Sequence, residues 1–252
     1  LTDYLPAQMK EEESLCHLRY AYENIHFPEN MHGLEVARKR LIFDELLTLQ
    51  LGLLLLKGRN KDYTAIQVKD FSIEDFEWGL PFRLTGSQKQ AIADGLSDFQ
   101  KDVPMNRLVQ GDVGSGKTMV ACALAYCMAK NGYQTAVMAP TEILAQQHYQ
   151  TFSKILAPFG ITCVLLTGSL TAKQKRECRK EIASGQADVV IGTHAIVQEG
   201  VETPKLGLVV TDEQHRFGVN QRAKLAEKGE NPHKLVMSAT PIPRTLALII
   251  YG

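Results

Sequence analysis

The stretch Asn106-Arg107-Leu108-Val109-Gln110-Gly111-Asp112-Val113-Gly114-Ser115-Gly116-Lys117-Thr118 decides the fold. Its first half is a short apolar run, and its second half fits G-x-x-x-x-G-K-[ST] at every position. Glycines at 111, 114 and 116 let the backbone turn so that successive N–H groups point inward at phosphate oxygens, and a helix starting at Lys117 adds its positive N-terminal end. In this arrangement Lys117 reaches the β- and γ-phosphates of a bound nucleotide, and the Thr118 hydroxyl ligates Mg²⁺. Gly111, Asp112, Gly114, Ser115, Gly116, Lys117 and Thr118 are therefore the candidate nucleotide-binding residues. The competing reading is a glycine-rich turn that opens a helix. The complete motif between an apolar strand and a helical pattern weighs against it.

Outward from this motif, short apolar runs alternate with helical patterns. Strands are predicted at 106–110, 135–139, 162–166, 188–191, 206–211 and 234–237, and helices at 117–131, 142–156, 172–184 and 221–227. Strands alternating with helices of this length give a parallel sheet covered on both faces. The expected fold is a doubly wound α/β domain over residues 71–252.

Residues 1–70 carry no strand pattern. Leu34, Leu41, Glu45, Leu46, Leu49, Leu53 and Leu56 follow mostly three- and four-residue steps, which predicts an amphipathic helix over 33–57 that stops at Gly58. A second helix is predicted over 10–24, closed by the turn-like Phe27-Pro28-Glu29-Asn30, and 58–70 reads as a linker.

Composition narrows the function classes. With 44% hydrophobic and 22% charged residues the chain is of ordinary globular type. Its 28 basic and 28 acidic residues cancel, so it is not a polybasic nucleic-acid glue, although a local basic groove is compatible with the balance. The greasiest run, 46–56, is about half the roughly 20 residues needed to cross a bilayer. Five cysteines, Cys16, Cys122, Cys127, Cys163 and Cys178, form no C-x-x-C pair and read as reduced thiols in a reducing compartment. Leu1 and Gly252 read as cuts made in a longer protein.

Hydrolysis needs a carboxylate near the metal and a group that orients water. The apolar run 206–211 ends in Asp212-Glu213-Gln214-His215. Ligands of open α/β sheets bind outside the carboxyl ends of the strands, so Asp212 is expected in the Mg²⁺ shell and Glu213 as base or water-orienting group. The bland alternative for such a pair is a solvated loop. Four further strand ends carry small hydroxylic residues: Thr141-Glu142, Thr167-Gly168-Ser169, Gly192-Thr193-His194 and Ser238-Ala239-Thr240. Each alone reads more readily as a helix cap or turn; together they form a rim suited to a nucleic-acid backbone.

This ordered set resembles the first RecA-like motor domain of superfamily-two helicases. Within that superfamily, Gln110–Thr118, Asp212–Gly218 and Ala239–Thr245 are similar to the RecG-type branched-DNA helicases of bacteria, and the similarity extends upstream through Leu84–Gln88, His26–Asn30 and Arg40–Leu46. The resemblance implies an ATP- and Mg²⁺-dependent DNA helicase or translocase that remodels stalled forks and Holliday-type junctions in the bacterial cytoplasm. It implies that Gln88 reads the adenine edge, that His215 and the Ser238–Thr240 turn couple the γ-phosphate to DNA grip, and that Thr141, Gln146, Thr193 and His194 touch the DNA backbone. It also implies a wedge domain and a second motor domain with arginine fingers, neither lying within these residues. Two rivals are the motor domain of a transcription–repair coupling translocase and an ATP-dependent DNA-binding module without turnover of its own.

Overall fold

The computed structural model describes residues 2–59, 65–66, 68–197, 200–212 and 231–239. The chain divides into two compact units, 1–61 and 62–252.

The first unit is helical: α1 (Ala7–Glu12), α2 (Leu18–His26) and α3 (Met31–Arg59). The single helix expected over 10–24 is in fact two. Ser14 takes a left-handed φ of 50°, and the N–H of Leu15 closes back onto the carbonyl of Lys10 at 2.8 Å. Such a six-to-one bond past a left-handed residue terminates a helix. The break is held by Arg40, whose side chain is 0% exposed and forks between Asp3 (2.7 Å) and Asp44 (3.0 Å) while donating to the carbonyl of Cys16 (2.7 Å). Asp3 in turn accepts the N–H of Leu18 at the start of α2. The Arg40 guanidinium holds the Asp3 carboxyl well below the usual carboxylate range, against the opposing pull of burial.

Helix α3 begins before the predicted residue 33, because the Asn30 side chain accepts the N–H of Gly33 at 2.8 Å and caps the first turn. At its other end the helix continues through Gly58 to Arg59. Glycine ends a helix only when it takes a left-handed conformation; within a helix it costs about 1 kcal/mol relative to alanine and is tolerated.

The second unit carries a six-stranded sheet: β1 (Asn106–Gln110), β2 (Gln134–Met138), β3 (Cys163–Leu166), β4 (Val189–Gly192), β5 (Leu206–Asp212) and β6 (His233–Ser238). Every described pairing is parallel, in the order β1-β6-β5-β2-β4-β3. The predicted strands lie within a residue of these. Helices α6 (Lys117–Lys130), α7 (Glu142–Leu156) and α8 (Ala172–Ser184) follow β1, β2 and β3, and α4 (Glu74–Gly79) and α5 (Gly86–Asp98) precede the sheet. The helix expected over 221–227 lies outside the described residues.

Alternation along the strands divides the core in two. Val137, Ile191, Leu208 and Val210 pack with Phe76, Ile92, Phe152 and most of α6 on one face. Ala136, Met138, Val190 and Val209 pack with Ile182 of α8 and Ile196 on the other. β2 and β4 are buried along their whole length, as a sheet covered on both faces requires. Residues 65, 66 and 68–70 dock on this unit: the N–H of Ala65 donates to the carbonyl of Asp102, and those of Lys69 and Asp70 donate to the Asn131 side chain.

The described cysteines are unpaired thiols, and burial pushes Cys127 up to about 12 and Cys163 up to about 11. Among the described residues no helix is long and apolar enough to cross a membrane.

Candidate functional site

Because the strands run parallel, their carboxyl ends share one rim. The loop 111–116 leaves β1, Ser238 ends β6 and Asp212 ends β5, so three consecutive strands carry the expected nucleotide machinery. The next three, β2, β4 and β3, lead into Thr141, Thr193 and Thr167. The two sets of residues are thus separate halves of one edge, a division the sequence order does not reveal.

The loop is built on backbone conformation. Gly114 and Gly116 take φ of 83° and 82°, the left-handed region where side chains are strained. A Cβ on Gly116 would displace Nε2 of Gln88, the far end of a flexible side chain, so the need for glycine there rests on the backbone conformation. The N–H of Gly111 donates to the carbonyl of Ser238 at 3.2 Å, tying the loop to the end of β6. Lys117 Nζ donates to the carbonyls of Gly111 (2.6 Å) and Asp112 (2.9 Å), which keeps its ammonium over the loop. Thr118 sits half-buried in the first turn of α6, a helix whose first amides lack intrahelical partners. A left-handed loop, a cation above it and a helix N-terminus together fit the phosphates of a nucleotide.

Gln88 lies beside this loop. It closes a capping box with Thr85 at the start of α5, and its Nε2 donates to the carbonyl of Ser115 at 3.2 Å. Asp212 ends β5 with its side chain 16% exposed, and its Oδ2 lies 2.8 Å from Nε2 of His148 on α7. Among the described residues no cluster of three His, Cys, Asp or Glu side chains is suited to a metal. One carboxylate and one hydroxyl, Asp212 and Thr118, fit a cation that takes its remaining ligands from phosphates and water, as Mg²⁺ does.

On the other half of the rim, Thr141 is exposed and caps α7 by accepting the N–H of Leu144 at 3.3 Å. Gln146 and His194 are exposed as well. Thr193 differs: it is 4% exposed, and its hydroxyl has no partner among the described residues. Glu142 Oε1 accepts the N–H of Ser169 at 3.1 Å, and hydrogen bonds from Ser169 hold its carboxyl below the usual range. This bond joins the start of α7 to the turn after β3, while Lys175 Nζ donates to the carbonyl of Gly168 in that turn. Glu213, His215 and Thr240 lie outside the described residues.

A model of the DEAD/DEAH box helicases matches residues 85–249. The chain belongs to the DEAD/DEAH box helicase family. This helicase chain is 48% identical over its whole length to the ATP-dependent DNA helicase RecG of Synechocystis sp., covering 31% of that protein. It is 47% identical to the RecG of Aquifex aeolicus, with 99% of this chain and 33% of that protein aligned. The structure of RecG bound to a three-way DNA junction superposes on the whole helicase chain with a TM-score of 0.85 at 43% identity, over 34% of its own length. Yeast Dbp5, at 17% identity and a TM-score of 0.52 over 70% of this chain, shares the fold. The chain spans about a third of the length of the curated relatives it matches.

Among the contacts at this rim that escaped sequence reasoning are His148 on Asp212 and Glu142 on Ser169. A signal for the first existed. Ala145, His148, Phe152 and Ile155 form the buried stripe of α7, and a histidine on such a stripe needs a polar partner. The identity of that partner depends on β5 lying next to β2, which no local pattern encodes.

Proposed function

We propose that this chain is the nucleotide-binding motor domain of an ATP-dependent DNA helicase that remodels branched DNA, acting in the bacterial cytoplasm with the wedge and second motor domains of a longer protein. The observation that carries the reading is the division of one sheet edge into a phosphate-binding half on β1, β6 and β5 and a hydroxylic half on β2, β4 and β3. RecG, the relative aligned over the whole chain, is by its name an ATP-dependent DNA helicase, and its solved complex holds a three-way DNA junction.

In this reading the loop 111–116 binds the phosphates through its amides, and Lys117 exchanges the carbonyls of Gly111 and Asp112 for β- and γ-phosphate oxygens. Thr118 and Asp212 would hold Mg²⁺, which would neutralise phosphate charge. Glu213 follows Asp212 directly and takes the proton of the attacking water. Gln88 offers its amide to the adenine edge. His215 and the Ser238–Thr240 turn transmit the state of the γ-phosphate along the edge. The bond from Gly111 to Ser238 gives that transmission a direct route. Thr141, Gln146, Thr193 and His194 serve the DNA backbone; for Thr193, whose hydroxyl is buried, the contact falls to its main chain.

The test is nucleotide hydrolysis by the full-length protein with forked, linear duplex or no DNA. Forked DNA is expected to stimulate most. Equal stimulation by linear duplex would remove the branched-DNA assignment, and no stimulation by any DNA would remove the motor reading.

A further inference from the structure

We propose that His148 is a positioning residue for the Asp212 carboxylate: its imidazole fixes one carboxylate oxygen so that the other faces the metal–nucleotide shell. The inference rests on the reading of Asp212 as a Mg²⁺ ligand.

The geometry is specific. His148 Nε2 and Asp212 Oδ2 are 2.8 Å apart, with side chains only 10% and 16% exposed. A carboxylate offers acceptors only, so in this pair Nε2 is the donor. The ring also stands edge-on to Phe152, with centroids 6.4 Å apart and planes at 82°, and Phe152 is itself fully buried. Ala145, one turn earlier on α7, is buried too, so the histidine stands on the packed face of the helix.

Asp212 needs such a partner. It is the last residue of β5 and the one position of that strand that is not buried, so the ladder fixes its backbone and leaves its side chain to choose an orientation. A carboxylate free to rotate would meet the cation in several geometries, whereas one whose Oδ2 accepts an imidazole N–H presents Oδ1 in one. Groups that orient metal ligands in this way typically raise metal affinity about 10–100-fold. The bond also connects the two halves of the rim, since α7 starts at Thr141 and is braced through Glu142 on the turn after β3.

The experiment compares His148→Leu with His148→Gln in the full-length protein. Leucine suits the apolar stripe of α7 but cannot donate, whereas glutamine carries a donor of similar reach. The readout is the affinity for a fluorescent ADP analogue in Mg²⁺ and in EDTA, without DNA, and in particular their ratio. His148→Leu is expected to reduce the Mg²⁺ enhancement about 10–100-fold with the EDTA affinity unchanged, and His148→Gln to restore most of it. A merely structural histidine would change both affinities together or neither, and either result overturns the proposal. Asp212→Asn separates the two readings. If it abolishes the Mg²⁺ enhancement while His148→Leu does not, only the role of His148 falls. If it too leaves the enhancement intact, Asp212 is not the ligand, and both fall.

Discussion

The side-chain amide of Gln88 joins α5 to the phosphate loop: its Oε1 accepts the N–H of Thr85 at 2.9 Å, and its Nε2 donates to the carbonyl of Ser115 at 3.2 Å. Each end of the amide is engaged once, which leaves its second N–H and a second lone pair of its oxygen for an adenine edge. Gln88→Ala removes the reciprocal half of the capping box and is expected to cost up to about 1 kcal/mol of stability. It should also weaken ATP more than GTP. Calorimetric titration with both nucleotides checks this; equal weakening would make Gln88 a brace for the loop and not a reader of the base.

Gly116→Ala tests the loop itself. Its φ of 82° costs an L-residue about 1–2 kcal/mol, and its new Cβ would meet Nε2 of Gln88. Nucleotide affinity should collapse while helix content by circular dichroism stays unchanged. Retained affinity would mean that the loop can bind phosphate in another conformation.

Lys117→Ala deletes the cation that now bridges the carbonyls of Gly111 and Asp112. The fold should survive, since these bonds sit at the rim, and affinity for ATP–Mg²⁺ should fall sharply. Unchanged binding in a folded variant would refute the assignment of this loop to phosphate.

His233 predicts a pH dependence. Its Nδ1 accepts the N–H of Met105 at 2.9 Å and its ring lies 4.6 Å from that of Phe99, so the buried ring is neutral with its proton on Nε2. Burial holds its pKa below the ordinary value of about 6.5, against the pull of the Ile66 carbonyl and of Asp98. The unfolded chain therefore binds a proton near pH 6.5 that the folded chain takes up only at lower pH. This contribution is complete above that point and is lost as pH falls below it, at up to about 1.4 kcal/mol per pH unit. His233→Asn keeps an acceptor for Met105 and should flatten the slope. Urea unfolding of both proteins at pH 5.5 and 7.5 measures the difference.

Equal numbers of acidic and basic residues, with hydroxylic rather than cationic residues at the strand ends, predict weak DNA binding by this stretch of chain. Each phosphate neutralised adds about 0.9 to the slope of log affinity against log salt, so the slope should stay below about five. Filter binding from low to physiological salt gives the value. A steeper slope would reveal a basic patch that the composition conceals.

The sequence by itself determined the six strands and the helices α6, α7 and α8 of the α/β unit, whereas α4 and α5 were not among the predicted elements. Glu142–Leu156 and Ala172–Ser184 match the predicted helices at both ends, and the strands lie within a residue. Apolar periodicity and glycine chemistry act over a few residues, and the phosphate loop takes its left-handed turns from its own glycines, while Ser238 and Gln88 bond it from distant parts of the chain. Reading failed where a distant group intervened. Ser14 breaks the first helix because Arg40, from α3, gathers Asp3, Asp44 and the Cys16 carbonyl around that point. The strand order was likewise a tertiary decision. Inserting β6 and β5 between β1 and β2 brings Ser238 onto Gly111 and Asp212 onto His148. Which parallel strands become neighbours depends on covering both faces of the sheet at once, a condition on the whole chain that no segment carries in its own residues.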